Sequence, residues 1–216
     1  MDLPEVTDEP KHYPDCCLSI SRGLLDVLTD TFRTAAETGP VLSIGSGSGL
    51  LEALLQSRWT AASASASDNT TTATTTTNSA AASPRIEGVE VHASVNRYLP
   101  AAAVGTVKGT WEVSPRARSD PAVAALLFAY PRSPALVSRY LREAEASVAV
   151  WLGHRSDWPD FEPCFAGAPG FNGAVQVVGG RAAGLVEYEM MAVVRRRSPS
   201  ENGEGEGCGS CGAKLG

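Results

Sequence analysis

The sequence predicts an α/β domain, with a mostly parallel sheet, helices on both of its faces and an antiparallel hairpin at the C-terminal end. Strand-like and helix-like segments alternate along the chain, which is the pattern of parallel strands joined by helices. Residues 124–130 form an uninterrupted apolar run, typical of a strand that is covered on both faces. Residues 41–50 pass from a short apolar strand through three glycines into a leucine-rich segment.

The remaining elements are predicted in order along the chain. Residues 19–37 carry apolar side chains at helical spacing, and Gly39 and Pro40 follow as a stop signal. Leucines from Leu50 onward predict a second helix, and Ser133 and Pro134 predict the start of a third. Strands are predicted at residues 41–44, 88–92, 104–108, 124–130 and 148–152, and the final hairpin at residues 174–178 and 186–194, joined across Gly179 and Gly180.

The chain of 216 residues is long enough for one domain with a substantial core. We predict an N-terminal extension at residues 1–18, the domain itself at residues 19–197 and a disordered tail at residues 198–216. Residues 60–83 contain only Ala, Ser, Thr, Asn and Asp. Such a segment has no large apolar group whose burial would offset the entropy of ordering, so we predict a flexible insertion there.

Composition narrows the classes of function and location. The net charge of −6 argues against a nucleic-acid partner, because duplex binders present a basic surface. Apolar runs long enough to span a membrane do not occur in the sequence, and the N-terminus lacks a signal-peptide pattern, so a cytoplasmic location is expected.

An odd count of five cysteines favours reduced thiols over a disulfide framework. Cys208 and Cys211 have the CxxC spacing, but they lie in a glycine-rich tail with no further ligands beside them. A structural zinc site needs four ligands, so we predict no metal.

The glycines of residues 45–49 are the most informative feature of the sequence. Gly45, Gly47 and Gly49 allow a sharp turn from strand to helix, with room for a ligand against the backbone. The helix N-terminus that follows offers N–H groups to that ligand. A tight turn without any ligand is the alternative. The spacing is GxGxG and not the dinucleotide pattern GxGxxG, because Leu50 occupies the third glycine position of the latter.

The strand, the GxGxG loop and the leucine-rich helix together resemble motif I of the class I, Rossmann-like S-adenosylmethionine-dependent methyltransferases. This resemblance implies that Gly45, Ser46, Gly47 and Gly49 wrap the methionine part of S-adenosylmethionine. The family's next strand ends in an acid that binds the ribose hydroxyls, which implies that role for Glu90. A carboxylate can accept both hydrogen bonds of a vicinal diol. An ordinary strand-end carboxylate is the alternative for Glu90.

Residues 108–112 resemble the family's adenine-binding turn. The resemblance implies that Thr110 lies near the adenine and that Trp111 stacks on it, with plain packing as the alternative for Trp111. One position departs from the family pattern. An acid usually stands two residues before the first glycine and helps to hold the cofactor's amino group, but this chain has Ser43 there. A low affinity for the cofactor, or its absence, would follow.

Polar and aromatic residues concentrate after the fourth and fifth predicted strands, at the sheet edge where ligands bind in such folds. Tyr130 and Arg132 follow the fourth strand, and we expect them to position a methyl acceptor, especially an anionic one. Residues 153–160 are predicted as a loop after the fifth strand, in which His154 or Asp157 would act as the catalytic base. A surface histidine and ordinary ion pairs are the alternatives.

Methyl transfer to a small-molecule acceptor is the predicted function. Three alternatives remain open: a methyltransferase-like binding module or partner subunit without transfer activity, an enzyme that reuses the fold for another reaction such as a cyclisation, and, least favoured, a nicotinamide dehydrogenase. Sequence motifs of nucleophile-elbow hydrolases, Walker-loop nucleotide-binding proteins and protein kinases do not occur.

Overall fold

Seven strands form the central sheet of the computed structural model, which describes residues 2–67, 85–119, 121–171 and 174–196. The strands of the whole described chain are β1 (Lys11–His12), β2 (Ser19–Ile20), β3 (Val41–Ile44), β4 (Ile86–Glu90), β5 (Val104–Thr106), β6 (Ala125–Ala129), β7 (Val148–His154), β8 (Gln176–Gly179) and β9 (Glu189–Arg195). The α-helices are α1 (Arg22–Ala36), α2 (Leu50–Ser67), α3 (Pro134–Glu143) and α4 (Trp158–Ala166). Short 3₁₀ helices occupy Ala93–Val95, Ala101–Ala103, Pro115–Arg118 and Gly180–Ala183.

The strand order in the sheet is β5-β4-β3-β6-β7-β9-β8. The pairs from β5 to β7 are all parallel, whereas β9 runs antiparallel to both of its neighbours. The predicted fold class is thereby confirmed. The chain leaves β3 toward one side of the sheet and returns through β6 on the other side. A crevice opens at such a switch point, beyond the carboxyl ends of the strands.

Two apolar layers cover the sheet. One contains the buried sides of α1 and α2, and the other contains those of α3 and α4. Strand β6 contributes to both layers, since Leu127 packs with the first and Leu126 and Phe128 pack with the second. This explains why residues 124–130 are apolar without interruption, as is typical of a strand that is covered on both faces.

The start of α1 differs from the prediction. Ser19 and Ile20 are not helical but pair with Lys11 and His12 as a two-stranded ribbon. The helix begins only at Arg22, where the hydroxyl of the preceding Ser21 accepts a hydrogen bond from the Leu24 amide at 3.1 Å. The prediction of a helix from residue 19 was wrong because the serine that caps it stands two residues later.

The loop predicted at residues 153–160 is also wrong. Strand β7 continues to His154, and α4 begins at Trp158 with a proline in its first turn. The buried residues of α4, Trp158, Phe161 and Phe165, follow helical spacing, so the signal was present in the sequence. The connection between β8 and β9 is likewise longer than predicted, since residues 180–188 separate the strands instead of residues 179–185.

Helix α2 extends to Ser67, so the first part of the predicted insertion at residues 60–83 is helical. Alanine has the highest helix propensity, which allows the helix to continue past its leucine face. Residues 68–84 and the predicted tail lie outside the described residues, as do Cys208 and Cys211. Among the described helices, none is both long and apolar enough to cross a membrane.

Candidate functional site

A cavity of about 390 Å³ lies at the carboxyl ends of β3, β4 and β6, at the switch point of the sheet. Its volume is within the range of roughly 300–1,000 Å³ that small-molecule pockets occupy. The cavity is lined by the glycine loop, by the ends of the three strands, by residues 15–18 from the N-terminal segment, and by four residues after β5: Val107, Gly109, Thr110 and Glu112.

Two of the three glycines open onto this cavity. Gly45 and Gly47 have φ values of +74° and +57°, a region that favours glycine, and a Cβ at either position would have no neighbour within 4 Å. Gly49 has a different reason to be glycine. It does not line the cavity, and its Cβ would stand 2.7 Å from Oδ1 of Asn96, which lies in the segment after β4.

The backbone amides of the loop mostly bind the protein itself. Gly45 and Ser46 donate to the Val89 carbonyl at 2.9 and 3.3 Å, and Gly49 donates to the Ser46 carbonyl at 3.0 Å. The expectation that the loop offers these amides to a ligand is therefore not met. Their hydrogen bonds fix the loop to the end of β4, which holds the cavity wall in place.

Glu90 is the last residue of β4 and lines the cavity beside the loop. Its Oε1 accepts a hydrogen bond from the Gly47 amide at 2.5 Å, and its Oε2 accepts one from the Val91 amide at 3.1 Å. An ionised carboxylate has acceptor capacity beyond these two bonds. The acid predicted from the sequence therefore lies against the glycine loop and retains sites for a diol.

A second acid, Glu52 in the first turn of α2, was not predicted as a site residue. It lines the cavity with only 1% of its surface exposed, and its Oε1 accepts a hydrogen bond from the Ser43 hydroxyl at 2.6 Å. Burial raises the pKa of Glu52 to about 7. The signal available in the sequence was a single charged residue within a run of leucines on an otherwise buried helix face.

The segment after β5 meets the cavity only in part. Thr110 and Glu112 line it, whereas Trp111 does not and is 68% exposed. The Trp111 ring lies over Gly109, and its carbonyl accepts a hydrogen bond from Arg139. Instead of the predicted indole, this end of the cavity has an apolar lining: Val91, Val107, Leu136 and Val137.

The predicted catalytic residues separate into two groups. Tyr130 and Arg132 line the main cavity and also a neighbouring cavity of about 460 Å³, where Asp157 joins them. His154 lines neither cavity. Its Nδ1 lies 2.7 Å from the Ser156 hydroxyl, and its ring stacks on Tyr188 with the centroids 5.3 Å apart.

Tyr130 is the only non-glycine residue with a positive φ, +48°, in the described part of the chain. Its hydroxyl donates to Oε1 of Glu189 at 2.8 Å. Burial, together with this bond, strongly raises the pKa of Tyr130, so the phenol stays protonated. This residue can therefore position a ligand but cannot serve as a base.

The N-terminal segment at residues 15–18, here called the strap, crosses one side of the cavity. Its position is fixed by Asp15, whose carbonyl accepts a hydrogen bond from the Ser48 hydroxyl at 2.6 Å. The Asp15 carboxylate also binds Arg97 at 2.8 Å and the Tyr98 hydroxyl at 3.0 Å. Burial raises the pKa of the Cys16 thiol in the strap to about 12, so this thiol stays protonated. The predicted N-terminal extension thus forms part of the site.

Among the described residues, four carboxyl groups line the main cavity together with one cationic side chain, that of Arg132. The four acids are Asp15, Glu52, Glu90 and Glu112. Asp15 is paired with Arg97. The raised pKa of Glu52 leaves that group partly protonated near pH 7, so Glu90 and Glu112 remain as the other acids. Like charges lining a cleft focus the electrostatic potential inside it. The cavity consequently favours cationic ligands and disfavours ligands with several negative charges.

The sequence matches no protein-family model and no curated protein. Solved structures share its fold. The methyltransferase domain of bacterial CtHen1-CN aligns with a TM-score of 0.52 and 12% identity, over 81% of this chain and 98% of that chain. This chain has the class I methyltransferase fold.

Two further structures give similar values. The methyltransferase domain of bacterial CtHen1-C aligns with a TM-score of 0.50 and 13% identity, over 81% of this chain and 97% of that chain. The apo form of the S-adenosylmethionine-dependent methyltransferase SibL has 14% identity and a TM-score of 0.49, over 81% of this chain and 55% of that chain.

The residues of this methyltransferase fold fit an adenosyl ligand in three respects. Gly45 and Gly47 leave open space where side chains would otherwise project. Glu90 keeps acceptor capacity at the cavity wall. The Ser46 hydroxyl and Oε2 of Glu52 are buried without a hydrogen-bond partner in the described chain. Buried polar atoms without partners are rare in native proteins, and a ligand with donor groups would satisfy them.

Proposed function

We propose that the protein binds S-adenosylmethionine in the main cavity and transfers its methyl group to a small-molecule acceptor. The observation that supports this best is the hydrogen bond from the Gly47 amide to the Glu90 carboxylate in the cavity wall. This hydrogen bond joins Glu90, at the end of β4, to the glycine loop that follows β3. Both features were expected from the sequence, and the methyltransferase fold brings them together at the switch point.

Each end of the cofactor has a proposed site. Glu90 accepts hydrogen bonds from the ribose hydroxyls, and the wall formed by Gly45, Ser46 and Gly47 receives the methionine part. Val107 and Thr110 flank the adenine, which the apolar lining at that end suits. Trp111 lies outside this lining and Gly49 supports the loop by packing, so neither is proposed as a direct contact.

The charge of the cavity supports this ligand over a dinucleotide. Bound S-adenosylmethionine supplies a methyl group on a positively charged sulfur, and it also carries an ammonium group. The carboxylates of Glu90 and Glu112, with the ionised fraction of Glu52, attract both positive charges. The same carboxylates repel a pyrophosphate, which argues against nicotinamide cofactors.

The acceptor site is proposed where the two cavities meet, at Tyr130 and Arg132. Arg132 would bind an anionic group of the acceptor, and the Tyr130 oxygen, whose proton is donated to Glu189, would accept a hydrogen bond from it. Asp157, in the second cavity, is the proposed base for an acceptor that must lose a proton. Since the strap narrows access from one side and the net charge is −6, a small acceptor is favoured over a nucleic acid.

A binding protein without transfer activity is the second candidate. It is favoured by the protonated states of Tyr130 and Cys16, which leave carboxylates as the bases in the cavity lining. Transfer to an acceptor that is already nucleophilic needs alignment more than a base, so the two candidates differ only in whether turnover occurs.

Isothermal titration calorimetry with S-adenosylmethionine, S-adenosylhomocysteine and NAD tests cofactor binding. We expect the first two to bind and NAD not to bind. Binding of NAD alone, or of none of the three, would refute the proposal. A radiolabelled-methyl assay against fractionated small-molecule extracts then distinguishes the two candidates, because only an active transferase moves the label into an acceptor.

A further inference from the structure

The inner wall of the main cavity contains a buried acid with one oxygen unpaired. Glu52 is 1% exposed, and its Oε1 is held by the Ser43 hydroxyl at 2.6 Å. Its Oε2 has no hydrogen-bond partner in the described chain. A buried carboxylate normally has partners on both oxygens, because an unpaired polar atom loses its hydration without compensation.

The position of this acid relative to β3 is informative. Ser43 lies in the middle of the sheet, beside Gly88 of β4 and Leu127 of β6, and directly before the glycine loop. Because Oε1 of Glu52 lies within hydrogen-bond distance of the Ser43 side chain, the Glu52 carboxylate occupies the space into which an acid at position 43 would project. Two acids there would repel each other, whereas a serine and a glutamate form a hydrogen bond.

Within the described chain, no cationic group acts on the pKa of Glu52. The titratable groups that act on it are Glu90 and Cys16, and both are negative when they ionise. Desolvation is the main reason that the pKa of Glu52 rises to about 7. A cation delivered by a ligand would therefore be stabilised by Glu52 and would in turn stabilise its ionised form.

We propose that Glu52 replaces the acid that is missing at position 43, and that its unpaired oxygen binds the ammonium group of the cofactor's methionine part. This inference rests on the proposed function, because it requires an adenosyl ligand in the main cavity. It makes Glu52 the residue that distinguishes ligands with an amino-acid end from simple adenosine thioethers.

The test compares two ligands on two proteins. S-Adenosylhomocysteine carries the ammonium group, whereas 5′-methylthioadenosine shares its adenosine and sulfur but lacks the amino-acid end. We expect Glu52→Gln to weaken binding of S-adenosylhomocysteine by about 10- to 100-fold, the range for loss of a charge-assisted hydrogen bond. Binding of 5′-methylthioadenosine should change less than about twofold, because that ligand does not reach Glu52.

Proton release provides a second readout. At about pH 7 the Glu52 carboxyl is partly protonated in the free protein, and binding of a cation shifts it toward the ionised form. Calorimetry of S-adenosylhomocysteine in buffers of different ionisation enthalpy should show proton release by the wild type. The release should be smaller for Glu52→Gln, and Glu52→Asp, which keeps the charge, should restore part of it.

Several results would overturn the inference. Equal weakening of both ligands by Glu52→Gln would indicate a structural role, and no weakening of either would exclude contact with the ligand. If the wild type binds neither ligand, the proposed function fails together with the inference. A loss of affinity for S-adenosylhomocysteine alone can be observed only if the wild type binds adenosyl ligands. Glu145→Gln is the matched control, because Glu145 is exposed in the connection between α3 and β7, and it should leave both affinities unchanged.

Discussion

The two sides of the site are constructed differently. The side proposed for the adenosyl group consists of one strand–loop–helix unit and the next strand, β4, held by hydrogen bonds such as that from the Gly45 amide to the Val89 carbonyl. The side proposed for the acceptor combines the strap, the end of β6 and the start of α4, which are far apart in the sequence. Binding residues that lie close together in the chain can be recognised from local sequence patterns. Binding residues that come from distant segments cannot.

Glu90 belongs to the local side, and its replacement should have the largest effect on binding. In Glu90→Ala the carboxylate proposed to bind the ribose is lost, and the Gly47 amide loses its acceptor. We expect the affinity for S-adenosylhomocysteine to fall by about 100-fold or more, as follows from losing two or more charge-assisted hydrogen bonds. Calorimetry measures this fall in affinity. Glu145→Gln is the control, because Glu145 is exposed, whereas Glu87 is unsuitable because it is paired with Arg116.

An unchanged affinity in Glu90→Ala would place the ligand elsewhere and would remove the strongest link between the glycine loop and β4. Glu90→Gln should fall between the wild type and alanine, because an amide oxygen can still accept the Gly47 bond but carries no charge.

The second prediction concerns how ionisation of Glu52 changes the stability of the ligand-free protein. The pKa of this carboxyl is about 7 in the folded protein, against 4.5 for the unperturbed group. The folded state therefore binds the Glu52 proton more tightly than the unfolded state does. The contribution of this group to the free energy of unfolding is complete below about pH 4.5 and is lost as the pH rises through about 7. Ionisation then costs about 3 kcal/mol, from 1.4 kcal/mol per unit of pKa shift.

Glu52→Gln removes this penalty. The free energy of unfolding of Glu52→Gln relative to the wild type should therefore increase by about 3 kcal/mol between pH 4 and pH 8.5. Urea denaturation at several pH values measures the difference. A constant difference across this range would mean that Glu52 titrates normally in the folded protein.

The contrast between the two sides also explains what the sequence could predict. The sheet and the glycine loop follow from apolar runs and glycine spacing, which reflect contacts between elements close in the chain. Glu90 was expected from the resemblance to the methyltransferase family. Glu52 was missed because its importance depends on a contact with Ser43, a residue on a different element. The strap was missed because residues 15–18 carry no periodic pattern, and their hydrogen bonds run to Ser48, Arg97 and Tyr98.

The glycine loop offers a sharper comparison within the local side. Gly47→Ala places a methyl group toward the cavity and forces a non-glycine residue to φ +57°, so we expect lower affinity for S-adenosylhomocysteine together with about 1–2 kcal/mol of destabilisation. Gly49→Ala has the same strain at φ +79° and adds a clash with Asn96 outside the cavity.

Gly49→Ala should therefore lose more stability than Gly47→Ala, and Gly47→Ala should lose more affinity. Thermal unfolding and calorimetry on both variants measure the two quantities. The reverse order of affinities would assign the ligand contact to Gly49, which is one of the four loop residues for which the sequence resemblance implies such a contact.

The smallest expected effect concerns His154, which the sequence suggested as a base. Its ring stacks on Tyr188 and its Nδ1 contacts Ser156, outside both cavities. Once an acceptor is identified, His154→Ala should leave kcat within about twofold of the wild type, because a general base must reach the proton that it removes. Asp157→Asn is the informative partner, since Asp157 lines the second cavity, and loss of a general base lowers kcat by about 100-fold or more. A large loss in His154→Ala with little change in Asp157→Asn would move the acceptor site from the end of β6 to the edge between β7 and β9.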